Sequence, residues 1–183
     1  YFHYRKSANR SALLPFFYIT ASTGVGGGLI ISAPGNKDML YRGNDNEHPE
    51  FGHMPFAGKS SGRKHVVCGC KTEDCFVSYV GGQGIEARYR VKPEHAPEKI
   101  KGEVAANFAD GLRVIALHYG PSRILLGGGI VHGWGRPFFK NVKKRFLASY
   151  EKSPLMAAPK ISVCVLDDVG LLGAAVVAQG RYK

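Results

Sequence analysis

The residues His53 and Cys68-Gly69-Cys70-Lys71-Thr72-Glu73-Asp74-Cys75 constrain this chain more than any other feature. They read His…Cys-x-Cys-x4-Cys, four soft donors brought close along the sequence. Zinc takes four such donors in a tetrahedron, and a site closed in this way does structural work. Cys68 and Cys70 flank a single small residue, so two thiolates can converge on one ion. The longer step to Cys75 folds a knuckle over it. His65, three residues before Cys68, is a rival fourth ligand that spacing does not separate from His53. Three unrelated buried thiols, or a disulfide plus a free thiol, is the competing reading. Four cysteines in 183 residues are too few for a disulfide-stapled secreted scaffold. Cys164, in Ile161-Ser162-Val163-Cys164-Val165-Leu166, reads as a small core residue of a buried strand. Reduced cysteines and a zinc site point to a cytoplasmic chain.

The chain is long enough for one substantial core, and 44 % hydrophobic residues exclude a disordered segment. No apolar run approaches the roughly 20 residues that cross a bilayer, and no secretory signal follows Tyr1-Phe2-His3-Tyr4-Arg5-Lys6. The net charge of +11 raises the question of nucleic acid. Its basic residues are scattered, however, and the densest group, Lys140, Lys143, Lys144 and Arg145, falls on one face of an amphipathic helix. A solvated helix face accounts for it, and nucleic acid is not an expected partner.

Leu13 to Thr20 reads as a strand running into Ser22-Thr23-Gly24-Val25-Gly26-Gly27-Gly28. Leu29-Ile30-Ile31 resumes a strand, Pro34-Gly35-Asn36 turns, and Met39-Leu40-Tyr41 forms a third strand, giving an antiparallel meander. Val104, Phe108, Leu112, Ile115 and Tyr119 recur at helical steps, and Gly120-Pro121 stops that helix. Arg123 to Leu126 is a short buried strand ending in Gly127-Gly128-Gly129. Pro137 opens a helix with Phe138, Val142, Phe146 and Tyr150 on one side, and Asp167 or Asp168 caps a last helix over 169–179. Strands alternate with helices in the second half, so the chain is one α/β domain over 1–183 with a zinc knuckle at about 53–75. Glycine clusters at strand ends let a phosphate meet bare backbone N–H groups, yet neither cluster matches a P-loop or a dinucleotide fingerprint.

The order of these motifs is more specific than any one alone. Ser22-Thr23-Gly24-Val25-Gly26-Gly27-Gly28, Glu50-Phe51-Gly52-His53, Cys-x-Cys-x4-Cys, Leu126-Gly127-Gly128-Gly129-Ile130 and Gly170-Leu171-Leu172-Gly173-Ala174-Ala175 together resemble the ROK family of repressors, open reading frames and sugar kinases. The resemblance runs from about Tyr18 to Gln179. It implies the C-terminal lobe of an actin-like, ribonuclease-H-like ATPase fold, with the N-terminal lobe absent. It implies a hexose or amino-sugar kinase that uses ATP and Mg, with Thr23 and Gly24 at the phosphates and Gly127, Gly128 and Gly129 near adenosine. Glu50 and His53 would bind sugar hydroxyls, while His53, Cys68, Cys70 and Cys75 would hold a structural zinc. Family members commonly dimerise, so a homodimer is expected. A sugar-sensing effector domain of a transcriptional regulator, or a non-catalytic sugar-binding module, is the alternative.

Two departures from the family pattern matter. The family's catalytic Asp lies on the segment before the glycine hairpin, where Tyr1 to Ala21 contain no Asp or Glu. Gly43-Asn44-Asp45-Asn46 mimics the motif but follows the hairpin and reads as a turn. No residue is therefore assigned as catalytic, and the 183-residue chain alone is expected to show no turnover. The second departure is Val77, which stands where the family usually places a sugar-contacting Glu. Losing one acceptor opposite a sugar hydroxyl costs roughly 1–3 kcal/mol of binding.

Overall fold

The computed structural model describes residues 14–33, 37–151, 157–165, 171, 175 and 178. Five strands form one sheet: β1 (Phe16–Ala21), β2 (Val25–Ala33), β3 (Lys37–Leu40), β4 (Arg123–Gly127) and β5 (Lys160–Val163), in the order β3-β2-β1-β4-β5. β1 to β3 form the expected antiparallel meander, in which Phe16 pairs with Ile30 and Ala21 with Val25. β4 joins β1 in parallel, and β5 joins β4 in parallel. Parallel neighbours need a crossover, and the helical segment between β4 and β5 supplies it.

Alternation along the strands builds two apolar layers. Phe17, Ile19, Leu29, Ile124 and Leu126 enter the main core beneath the helices. Phe16, Ile30, Leu125 and Cys164 form a smaller cluster of their own. The central strands are thus apolar at successive positions, as a sheet covered on both faces requires. Cys164 is 1 % exposed and packs in the smaller cluster, as expected of a core residue, but it follows β5 rather than lying within it.

Four α-helices are described: α1 (Val77–Val80), α2 (Gly82–Tyr89), α3 (Glu98–Tyr119) and α4 (Gly129–Glu151). In α3 the expected face is buried at Val104, Phe108, Leu112 and Ile115. Gly120 closes it at φ 53°, donating its N–H to the Ala116 carbonyl. This is a left-handed C-cap followed by a proline. α4 differs from the sequence reading. It starts at Gly129 rather than Pro137, breaks at Gly135 (φ 65°, ψ −157°), and continues through Phe138, Val142, Phe146 and Tyr150, all buried. The early start follows from Ile130 and Val131, which enter the core one turn after the strand. Lys140, Lys143, Lys144 and Arg145 are exposed, as expected. Gly43 to Asn46 form a turn, with the Asn46 N–H donating to the Gly43 carbonyl. Most of the helix expected over 169–179, and its capping Asp167 or Asp168, lie outside the described residues; Leu171, Ala175 and Ala178 are helical. Among the described residues, no helix is long and apolar enough to cross a membrane.

Candidate metal centre and adjoining clefts

His53 ends a short 3-10 turn, Phe51–His53. The turn is pinned against the sheet because Gly52 has no side chain: a Cβ there would stand 2.4 Å from the Val25 carbonyl oxygen. Only glycine lets the Glu50-Phe51-Gly52-His53 segment approach β2 this closely. The segment after the turn then pairs with the last cysteine. Phe56 N–H donates to the Asp74 carbonyl and Phe76 N–H to the Met54 carbonyl, at 3.0 Å each. That two-bond clip carries His53 to the cysteine loop.

The loop itself closes through Cys68 N–H to the Thr72 carbonyl and Lys71 N–H to the Cys68 carbonyl, both 2.8 Å. Lys71 (φ 68°) and Asp74 (φ 52°) take left-handed backbone to make the knuckle. As a result one donor atom from each of His53, Cys68, Cys70 and Cys75 lies within 4.8 Å of the other three. Cys68 Sγ is 3.3 Å from His53 Nδ1, and Cys70 Sγ is 3.4 Å from Cys75 Sγ. Donors bound at 2.0–2.3 Å around one ion stand at about 3.3–3.8 Å from each other, by tetrahedral geometry on the usual zinc distances. The donor set therefore fits zinc in number, type and spacing. Thr72 Oγ1 sits 2.9 Å from Cys70 Sγ and 3.0 Å from Cys75 Sγ. Its hydroxyl hydrogen bond lowers the Cys70 thiol to about 6, whereas burial raises the Cys75 thiol to about 11. A Cys70 thiolate is thus favoured beside a protonated Cys75, whose proton a metal would displace.

His65, the rival ligand, turns elsewhere. Its Nδ1 lies 2.8 Å from Asp74 Oδ2 and 3.7 Å from Glu73 Oε2, in a separate group with those carboxylates. Asp74 is held from the other side by Arg88, whose side chain is fully buried. Arg88 donates to Asp74 Oδ1 (3.0 Å) and to the carbonyls of Ser78, Arg63 and Lys64, and its guanidinium lies 3.7 Å over the Tyr79 ring. It thereby ties both ends of the cysteine loop to α2. Burial pushes the Asp74 carboxyl up, but the hydrogen bonds from Arg88, His65 and the Val66 N–H outweigh this and hold it below the usual carboxylate value.

One cleft adjoins the Cys/His cluster and shares Gln83 with a second. The first, of about 370 Å³, is lined by Gly24, Val25, His53, Cys68, Val77 and Gln83 among others. The second, of about 450 Å³, is lined by Thr23, Gln83, Glu86, Lys101, Gly129 and Trp134 among others. The tip of the β1–β2 hairpin stands between them, with Gly24 on the first and Thr23 on the second. Two hydrogen bonds hold it there: Gly82 N–H to the Ser22 carbonyl (2.7 Å) and Gln83 N–H to the Thr23 carbonyl (3.1 Å). Among Gly127, Gly128 and Gly129, Gly129 is the one that lines the second cleft. Gly128 makes the strand-to-helix turn at φ 92°, where a Cβ would strike the Ala21 carbonyl oxygen, and Gly127 closes β4 against Tyr18. Glu50 is exposed just before the 3-10 turn and is not among the residues lining the first cleft. Sequence reasoning passed over Gln83, Trp134 and Arg88. Trp134, the one tryptophan of the chain, marked its site only by being unique; its indole N–H donates to the Pro93 carbonyl at 2.9 Å.

The comparisons agree with this architecture. The chain is 28 % identical over 197 residues to the glucokinase of Streptomyces coelicolor, covering 88 % of this chain and 58 % of that protein. It is 28 % identical over 174 residues to the N-acetylmannosamine kinase of Vibrio vulnificus (strain CMCP6), covering 86 % and 54 %. It thus spans little more than half the length of these relatives. Its fold matches the crystal structure of a ROK family glucokinase from Streptomyces griseus in complex with glucose and AMPPNP, with a TM-score of 0.70 at 23 % identity, over 90 % of this chain and 60 % of that one. The ROK family model matches residues 5–181, the span that holds the glycine hairpin, the Glu-Phe-Gly-His turn and the cysteine knuckle together. This chain belongs to the ROK family.

Proposed function

We propose that the chain is the C-terminal lobe of an ATP-dependent hexose or amino-sugar kinase and forms one wall of its catalytic cleft. The observation that carries this reading is the hairpin tip. It separates a cleft bearing the metal-centre histidine from a second cleft of nucleotide dimensions, with Gly24 facing one and Thr23 the other. Phosphoryl transfer is catalysed mainly by positioning donor and acceptor and by neutralising charge. Two adjoining clefts divided by one hairpin supply that positioning.

In the first cleft, His53 commits Nδ1 to the thiol cluster, 3.3 Å from Cys68 Sγ. Were His53, Cys68, Cys70 and Cys75 to hold zinc, with Nδ1 on the ion, His53 Nε2 would carry the ring proton and be free to donate to a sugar hydroxyl. Such a metal would fix the His53 tautomer and ring orientation and supply no chemistry to the transfer itself. Glu50, at the start of the same turn, is assigned to the sugar on the strength of the family resemblance. In the second cleft Thr23 offers a hydroxyl to phosphate oxygens, Gly129 lets the nucleotide approach the backbone, and Trp134 offers an aromatic wall. ATP with Mg supplies the phosphoryl group and the charge that screens it. Among the described residues lining the first cleft there is no carboxylate, so the proton acceptor for the attacking hydroxyl is assigned to a residue outside this set.

The test is ATP-dependent phosphorylation of glucose, N-acetylmannosamine and N-acetylgalactosamine by the full-length gene product, read by coupled ADP release. Turnover of at least one of these sugars is expected. Sugar binding without turnover would leave a sensing or scaffolding lobe. Binding of neither sugar nor nucleotide would overturn the reading.

A further inference from the structure

Gln83 lines both clefts. It stands at the second position of α2, directly beneath the hairpin tip. The first two backbone donors of this helix are used, Gly82 N–H by the Ser22 carbonyl and Gln83 N–H by the Thr23 carbonyl. Helix N-termini ordinarily offer such donors to anions. Here two of them hold the hairpin instead, and the exposed side chain of Gln83 is a polar group common to both clefts. Its backbone is rigidly placed, since Gly82 and Gly84 on either side are buried. Val77, the first residue of α1, faces the first cleft without a polar atom.

We infer that the Gln83 side chain spans the two clefts as a positioning and specificity residue, its carbonyl oxygen accepting from a sugar hydroxyl and its NH2 donating to a phosphate oxygen. A primary amide suits this place because it carries both a donor group and an acceptor on one planar unit. A carboxylate would supply only acceptors and would set a negative charge beside the phosphates. A hydrocarbon would supply neither. The inference rests on the kinase reading given above and adds a residue that the motifs do not single out.

The experiment compares the wild-type protein with Q83E and Q83A. AMPPNP–Mg binding is followed by the fluorescence of Trp134, the sole tryptophan, which lines the second cleft. Glucose and N-acetylmannosamine binding are followed by calorimetry. Q83A should weaken both ligands by roughly 3- to 10-fold, the worth of one hydrogen bond each. Q83E should keep sugar affinity within about 2-fold, because its acceptor remains, and weaken AMPPNP–Mg by more than about 10-fold through charge repulsion. Thermal melting should stay unchanged in both, since the side chain is exposed. Equal losses of the two ligands in Q83E, or unchanged binding in Q83A, would overturn the inference while leaving the kinase reading standing. Failure of the wild-type protein to bind either ligand would overturn both.

Discussion

Replacing Arg88 by Met removes the charge that closes the cysteine loop and keeps most of the packing volume against Tyr79. The guanidinium is wholly buried and satisfies Asp74 and three backbone carbonyls. Breaking a buried pair on one side costs about 3–5 kcal/mol, because the surviving charge stays uncompensated. The Asp74 side chain is 21 % exposed, so water recovers part of its hydration and the charge contribution falls at the low end, about 3 kcal/mol. The stranded Ser78 carbonyl adds about 1 kcal/mol. The sum, about 4 kcal/mol, is a large share of the 5–15 kcal/mol that ordinarily holds a domain together, and converts to a melting decrease of about 8–16 °C at this size. Urea titrations of wild type, R88M, D74N and the double variant form the assay. The double variant should recover about 1–3 kcal/mol relative to additivity, because the two residues touch. An R88M cost below about 1 kcal/mol, or strict additivity, would refute the role given to this pair.

The remaining predictions concern the loop and the clefts. C70S should lower metal content below half an equivalent and accelerate amide exchange between Val66 and Cys75, while leaving α3 protected; a full equivalent after gentle purification would contradict the assigned ligand set. V77E adds an acceptor to the first cleft and, on the kinase reading, should tighten glucose or N-acetylmannosamine binding by roughly 5- to 10-fold, the lower part of the range for one satisfied acceptor, as read by calorimetry. Acid stability should follow Asp74. Its folded pKa is depressed, so its contribution is present above the unfolded value near 3.9 and is lost as pH falls through the folded value. The wild-type urea midpoint should therefore drop as pH falls below about 4, and R88M should show a shallower drop over the same interval.

Local chemistry was readable and long-range geometry was not. The cysteine triplet announces a cluster of metal-type donors because its members are neighbours in sequence. The β1–β3 meander and the buried face of α3 announce themselves through periodicity, which reports burial directly. α2 escaped notice because Gly81, Gly82 and Gly84 look like turn residues, although they are glycine so that the helix can press against α1 and the hairpin. The glycines at 26–28 likewise read as a loop but lie inside β2, paired with Tyr18, Ile19 and Thr20. Arg88 resembles any surface cation until the fold encloses it. Choosing His53 over His65 required the pairing of Met54 and Phe56 with the segment around Cys75, a contact no spacing rule contains. Gln83 gains meaning only from two clefts that sequence places far apart, one bounded by Cys68 and the other by Trp134.

Zinc-edge X-ray absorption on the metallated protein tests the central claim most directly, since the proposed sugar wall depends on a histidine held by the thiol cluster. One nitrogen at about 2.0 Å and three sulfurs at about 2.3 Å are expected, with H53A exchanging the nitrogen for a solvent oxygen or losing the ion. A spectrum with no sulfur shell, or one unchanged in H53A, would contradict the account.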